Sequence, residues 1–100
     1  MSDRKRAVQA RVYGKVQGVG YRIWARGEAT RLELLGWVRN ERDGSVTAWL
    51  TGADAAVAAM IERLRQGPPG AAVSRIDVGD LDHAWRFQDH DVDGFSPPLN

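Results

Sequence analysis

The sequence predicts an α+β fold in which two helices cover one face of an antiparallel sheet. Segments with a two-residue apolar period alternate with segments of helical apolar spacing, in the order β-α-β-β-α-β. The dipeptide Asp43-Gly44 indicates a hairpin between the second and third strands. With 100 residues, 43% of them hydrophobic, the chain is long enough for one domain with a single core.

The first strand is predicted over residues 7–13, where Val8, Ala10 and Val12 alternate with polar side chains. Residues 1–6 precede it and are polar, so we expect them to be flexible or peripheral. After the strand, three glycines within seven residues predict a loop with unusual backbone angles or a close approach to a ligand.

The first helix is predicted over residues 21–32, directly after this loop. Its apolar residues form one stripe: Tyr21, Ala25, Ala29 and Leu32. Residues 35–40 and 45–50 follow as the second and third strands, the latter with Val46, Ala48 and Leu50 alternating. These two strands and their turn form the predicted hairpin.

The second helix is predicted over residues 55–65, with Asp54 as its N-cap. Its apolar stripe is made by Val57, Met60, Ile61 and Leu64. The segment 67–70 ends the helix, and residues 72–78 form the fourth strand. A weaker fifth strand is predicted over residues 85–92, and residues 94–100 are expected to be a peripheral tail. This order is that of a ferredoxin-like α/β sandwich in a single domain, residues 1–100.

Composition excludes several function classes. Fourteen basic against 13 acidic residues give a net charge of +1, which argues against a strongly basic nucleic-acid-binding protein. The absence of cysteine excludes disulfides, thiolate metal sites and a thiol nucleophile. Apolar runs are too short to span a membrane, and the charged N-terminal segment is unlike a signal peptide, so we expect a cytoplasmic protein.

The glycine-rich loop and the helix after it form a candidate oxyanion site. Backbone N–H groups of such a loop and of a helix N-terminus can surround an anion, and Arg22 adds a planar guanidinium in the first helical turn. The glycine spacing fits neither the Walker loop nor the dinucleotide fingerprint. A tight strand-to-helix turn with an incidental arginine is the alternative interpretation.

Asn40 is a second candidate, at the end of the second strand. Its neutral amide can both donate and accept hydrogen bonds, so it can hold a water molecule; alternatively it only terminates the strand. His83 and His90 lie in an acidic stretch without the spacing typical of metal ligands, and no metal site is predicted. Arg11, Tyr13 and Trp49 offer limited support for an RNA-binding sheet face.

Two segments resemble the signatures of the acylphosphatase family. Residues 16–22, Val-Gln-Gly-Val-Gly-Tyr-Arg, resemble the first signature, and residues 36–40, Gly-Trp-Val-Arg-Asn, followed by Asp43-Gly44, resemble the second. The segment 67–71 also resembles the family's Gly-Pro turn, and the likeness extends from about residue 7 to residue 92. The resemblance implies hydrolysis of acyl phosphates to a carboxylate and inorganic phosphate, without a metal or organic cofactor.

The resemblance also implies residue roles. Arg22 corresponds to the catalytic, phosphate-binding arginine and Asn40 to the residue that positions the attacking water. The implied phosphate-binding residues are Lys15, Val16, Gln17, Gly18, Val19, Gly20, Tyr21 and Arg22. Expected partners are a small acyl phosphate and inorganic phosphate or a similar oxyanion, not nucleic acid or a membrane, and we expect a monomer.

Glu33 departs from the family pattern, which has glycine between the two leucines that follow the first helix. Glu33 must therefore adopt positive φ at a cost of about 1 kcal/mol, or the helix must end differently. Two other functions remain open at this point: a phosphate-binding module without catalysis, which needs Arg22 but not Asn40, and an RNA-binding domain.

Overall fold

The computed structural model describes residues 4–81 and 93–94. The elements are β1 (Lys5–Lys15), α1 (Tyr21–Arg31), β2 (Leu35–Asn40), β3 (Val46–Ala53), α2 (Asp54–Gln66), β4 (Ala72–Asp80) and β5 (Asp93–Gly94). The predicted order β-α-β-β-α-β is confirmed, and the architecture is the ferredoxin-like α+β fold. The predicted fifth strand over 85–92 lies outside the described residues.

The sheet has the strand order β4-β1-β3-β2-β5, and all of its pairs are antiparallel. Strand β3 lies between β1 and β2, with Val46 opposite both Val12 of β1 and Asn40 of β2. The C-terminal ends of β1 and β2 therefore lie at the same end of the sheet, on either side of the start of β3. This register brings the glycine-rich loop after β1 close to Asn40.

The core lies between the two helices and one face of the sheet. In β1 the predicted apolar residues Val8, Ala10 and Val12 are fully buried, as are Val46, Ala48 and Leu50 in β3. The helices contribute Tyr21, Ala25 and Ala29 from α1, and Val57, Met60 and Leu64 from α2. Leu32 and Ile61, which complete the two predicted stripes, are only partly buried against this core.

Three strands, β1, β3 and β4, extend beyond their predicted ends, and the extensions of β1 and β3 belong together. Strand β1 begins at Lys5, so Lys5 and Arg6 belong to the sheet and not to the terminal segment. Strand β3 continues through Gly52 to Ala53, beyond its predicted end at residue 50. The two extensions have one cause, since Lys5 pairs with Ala53 and Arg6 with Gly52. Each strand is extended by hydrogen bonds to the other strand, and the sequence pattern of one strand alone cannot indicate such a partner.

The predicted N-cap of the second helix is wrong. Helix α2 begins at Asp54, and Ala53 occupies the N-cap position without a side-chain hydrogen bond. The Asp54 carboxylate instead lies 3.7 Å from the Arg6 guanidinium. It still lies in the first turn, where the partial positive charge of the helix N-terminus favours a carboxylate.

Helix α1 ends in a Schellman motif with Glu33 at the position where glycine is usual. The Leu34 N–H donates to the Ala29 carbonyl at 2.9 Å, and the Glu33 N–H donates to Thr30 at 3.0 Å. Glu33 has φ 60°, the single positive-φ residue other than glycine among the described residues. The structure therefore selects the strained alternative over a different helix end.

Replacing Glu33 by glycine should stabilise the protein by about 1 kcal/mol, since glycine adopts this conformation without the Cβ clash. That gain corresponds to an increase of about 4–8 °C in the melting temperature for a domain of this size. Thermal unfolding measures it. Glu33→Ala is the matched control, because it removes the charge but keeps the Cβ. An equal gain in both variants would show that the side chain, not the backbone, causes the instability.

Candidate active site

One cavity lies where the glycine-rich loop, the start of α1 and the end of β2 meet. Its volume is about 140 Å³. The residues that line it are Val16, Gln17, Gly18, Gly20, Tyr21, Arg22, Ile23 and Asn40. Arg22 is half-buried and Asn40 is exposed. Arg22 and Asn40, far apart in the sequence, therefore border the same space.

The loop backbone bends through two glycines. Gly18 has φ 76° and Gly20 has φ 78°, and a Cβ at either position would meet nothing within 4 Å. Both glycines are therefore needed for backbone conformation and not for close packing. Such a left-handed N-cap at Gly20 turns the chain abruptly from the loop into α1.

The N-terminus of α1 is suited to an anion. Gly20 provides no side-chain cap, and the first turn contains no acidic residue. The first N–H groups of a helix have no partner within the helix, and the aligned peptide dipoles add partial positive charge there. Arg22 adds a full positive charge in the same turn. A tetrahedral oxyanion in the cavity would meet backbone donors and a guanidinium together.

Two residues of the predicted phosphate-binding segment do not line the cavity. Lys15 is the last residue of β1, where it is exposed and pairs with Ala72 of β4. Val19 is half-buried and packs against the core. The cavity instead includes Ile23, which no sequence pattern had indicated.

The Gln17 side chain fixes the loop to the β2–β3 turn. Its Nε2 donates to the Glu41 carbonyl at 2.8 Å and to the Ser45 carbonyl at 2.9 Å. This one amide satisfies two carbonyls of a different segment and ties the loop to the residue that follows Asn40. The sequence had indicated only a backbone role for Gln17, because no local pattern shows which turn its side chain reaches.

Two buried side chains, Val16 and Tyr21, attach the loop and the start of α1 to the core. Val16 is fully buried, and Tyr21 is 1% exposed. The Tyr21 hydroxyl donates to the Leu64 carbonyl of α2 at 2.7 Å, and burial raises its pKa. The phenol is therefore neutral at ordinary pH and serves as a structural donor. Through these contacts the first turn of α1 is positioned against α2 and the core.

Two carboxylates, those of Asp43 and Glu41, stabilise the β2–β3 turn to which Gln17 is hydrogen-bonded. Asp43 accepts from the Ser45 hydroxyl at 2.6 Å and the Ser45 N–H at 2.9 Å, and Arg11 lies 3.1 Å away. These donors hold the pKa of Asp43 below its usual value. Burial alone would raise the pKa of Glu41, but hydrogen bonds from Thr47 and Arg39 and the nearby positive charges outweigh it and lower the pKa.

Acid should weaken this turn. Both folded-state pKa values lie below the ordinary values of 4.5 for Glu41 and 3.8 for Asp43. The contribution to stability is therefore complete above the ordinary pKa and is lost as the pH falls through the folded pKa. We expect the urea concentration at the unfolding midpoint to decrease as the pH is lowered from about 5 to about 3. The decrease should be less steep in Asp43→Asn than in the wild type. Identical pH slopes would contradict a role for Asp43.

The sheet face opposite the helices bears on the RNA-binding alternative. Trp37, 2% exposed, stacks on Trp49 with ring centroids 4.8 Å apart. The guanidinium groups of Arg11 and Arg75 lie 5.8 Å and 4.2 Å from the Tyr13 ring centroid, and both pair with aspartates. Aromatic rings and cations on this face thus contact one another, whereas base stacking needs exposed rings. The arrangement gives the alternative no added support.

In the described part of the chain, no group of three or more His, Cys, Asp or Glu residues is arranged to hold a metal ion. His83 and His90 lie outside that part. No described helix is long and apolar enough to cross a bilayer.

Together, the fold and the cavity define a small α+β protein whose first helix begins at a cavity suited to an oxyanion. The family profile for acylphosphatases matches residues 8–96. The chain therefore belongs to the acylphosphatase family, a family of hydrolases, as its two sequence signatures predicted.

Individual relatives agree with this assignment. An acylphosphatase from Mesorhizobium japonicum is 78% identical over 82 residues, which cover 82% of this chain and 87% of the relative. One from Rhizobium etli is 61% identical, covering 78% of this chain and 83% of the relative. The solved structure of an acylphosphatase from Coxiella burnetii matches with a TM-score of 0.76 and 36% identity, covering 78% of this chain and 82% of that one.

Proposed function

We propose that this acylphosphatase holds the phosphoryl group of an acyl phosphate between Arg22 and the 16–20 loop, while Asn40 positions the attacking water. The enzyme hydrolyses acyl phosphates, which are mixed anhydrides of a carboxylic acid and phosphoric acid. The observation that carries the proposed roles is the shared cavity, since Arg22, Asn40 and four of the five loop residues line it.

Arg22 and the backbone donors supply the charge stabilisation. In phosphoryl transfer the negative charge is spread over the equatorial oxygens, and catalysis depends mainly on positioning and electrostatics. A guanidinium can bind two of these oxygens side by side. The first-turn N–H groups of α1 and the loop N–H groups are suited to the others. These donors are held in place by Gln17 and Tyr21, so they need little reorganisation on binding.

Asn40 positions the water molecule that acts as the nucleophile. Its amide can accept a hydrogen bond from water and orient an oxygen lone pair towards phosphorus. The water oxygen forms the new bond to phosphorus, and the bond from phosphorus to the acyl oxygen breaks. The electron pair leaves with the carboxylate, which is a good leaving group and needs no proton. The products are a carboxylate and inorganic phosphate.

The water proton goes to a phosphoryl oxygen in this proposal. No carboxylate or imidazole is among the described residues that line the cavity. Glu41 and Asp43 lie next to the site, but their lowered pKa values and hydrogen bonds make them weak bases. The substrate itself is then the nearest proton acceptor.

The first experiment measures phosphate release from an aryl acyl phosphate with EDTA present. We expect turnover that EDTA does not reduce, because every proposed role belongs to a protein group. A folded protein that binds phosphate without turnover would instead favour the phosphate-binding module. Loss of turnover on EDTA treatment, restored by a divalent cation, would contradict the metal-independent mechanism.

We also propose that the enzyme is monomeric and cytoplasmic. The described lining of the cavity belongs to one chain, and the absence of cysteine suits a reducing compartment. Sedimentation at several concentrations tests the first point, since a mass that rises with concentration would contradict it. Fractionation of cells tests the second.

A further inference from the structure

Ile23 is exposed to an extent that its role in the fold does not explain. It lies in the first turn of α1 and is 74% exposed, the highest value for a large hydrophobic residue among the described residues. Leu35, the next, is 43% exposed. So little of Ile23 is buried that the core gains little from it. Its position directly after Arg22 places this apolar surface at the phosphate cavity.

Ile23 also borders a second, shallow depression on the solvent side of α1. The other residues that line this depression are Arg26, Gly27, Thr30 and Arg31. Because Ile23 lines both spaces, the depression adjoins the phosphate cavity at the Ile23 side chain. The remaining apolar side chains of the cavity, Val16 and Tyr21, are buried. Ile23 thus offers the accessible apolar surface at the site.

Gly27 gives independent support. It lies one turn after Ile23 inside α1, where glycine is less favourable than alanine. A Cβ at this position would meet nothing within 4 Å, so neither packing nor a positive φ requires glycine. Gly27 lines the depression without a side chain, which leaves the surface next to Ile23 uncovered.

We propose that Ile23 binds the organic part of the acyl phosphate and makes the enzyme prefer substrates with bulky apolar acyl groups. The proposal rests on the proposed phosphate site. Once the phosphoryl group occupies the cavity, the acyl group of the bound substrate must extend out of the cavity on a side away from the attacking water. The open depression that begins at Ile23 and passes Gly27 offers the acyl group an apolar surface. Removal of water from both surfaces favours larger apolar groups.

The test compares two substrates in Ile23→Ala. For benzoyl phosphate we expect KM to rise about fivefold to tenfold with kcat nearly unchanged, because the contact exists in the ground state and the transition state alike. For acetyl phosphate, whose methyl group is too small to cover Ile23, both parameters should change by less than about twofold. Inhibition by inorganic phosphate should be unchanged, since phosphate lacks the acyl group.

Two further variants make the result specific. Ile23→Val keeps a branched aliphatic side chain and should retain most of the preference for benzoyl phosphate. Leu35→Ala removes another exposed aliphatic side chain, at the opposite end of β2 from Asn40, and should leave both substrates unaffected.

An equal loss for both substrates, or no change for benzoyl phosphate, would overturn the proposal. A weaker inhibition by phosphate in Ile23→Ala would also overturn it, because Ile23 would then serve the phosphate cavity. If the proposed phosphate site were wrong, the result would be different. Arg22→Ala would then keep wild-type inhibition by phosphate, whatever the substrate preference of the Ile23 variants.

Discussion

Replacing Arg22 by alanine should lower kcat/KM for acetyl phosphate by about a thousandfold. Loss of a single donor to a developing oxyanion costs about 10²–10³-fold, and a guanidinium that contacts two oxygens contributes at the upper end of this range. Arg22 also carries a full positive charge at the helix N-terminus, so phosphate binding should weaken in parallel. Steady-state kinetics and the inhibition constant of inorganic phosphate measure both effects.

Two variants separate the geometry of Arg22 from its charge. Arg22→Lys keeps the charge but loses the planar fork, so it should recover phosphate binding better than turnover. Arg65→Ala removes an equal charge from α2, where Arg65 pairs with Glu62 at 3.4 Å, and should leave kinetics unchanged. If Arg22→Ala bound phosphate as tightly as the wild type, the proposed role of Arg22 would be wrong.

The second large effect is expected for Asn40. Asn40→Ala should lower kcat by about 10²-fold or more, because misplacing a reacting group by about 1 Å costs that much. The inhibition constant of phosphate should change by less than about threefold, since Arg22 and the loop remain. This split between turnover and binding distinguishes a water-positioning residue from a phosphate ligand.

Asn40→Asp and Gln66→Ala complete the comparison. Asn40→Asp keeps the shape but places a negative charge at the cavity, so it should weaken phosphate binding more than Asn40→Ala does. Gln66→Ala removes an amide at the end of α2, outside the cavity lining, and should have wild-type kinetics. Wild-type turnover in Asn40→Ala would refute the proposed position of the water.

The chain's local patterns predicted much of the core, although Leu32 and Ile61 of the predicted stripes are only partly buried. The two-residue period of β1 and the helical period of α2 each report which face of an element is apolar, and the buried residues Val8, Val12, Met60 and Leu64 confirm both. At Glu33 the sequence left two outcomes open, a positive φ or a different helix end, and the structure decided for the positive φ.

Contacts between distant segments could not be predicted in this way. Asp54 has the residue type and spacing of an N-cap, yet Ala53 takes that position and Asp54 lies near Arg6 across the sheet end. The Gln17 side chain has no local signature at all, and its two carbonyl partners belong to a turn 24 and 28 residues away. Each contact depends on the register of neighbouring strands.

The sequence by itself determined the elements, their apolar faces and the two signatures that carry Arg22 and Asn40, because residue type and spacing act within one segment. Only the tertiary structure decided that Arg22 and Asn40 line one cavity. That meeting requires β3 to lie between β1 and β2, so that Val46 faces both strand ends. The exposure of Ile23 beside the cavity was decided in the same way, since exposure depends on which elements pack around a side chain and not on its own chemistry.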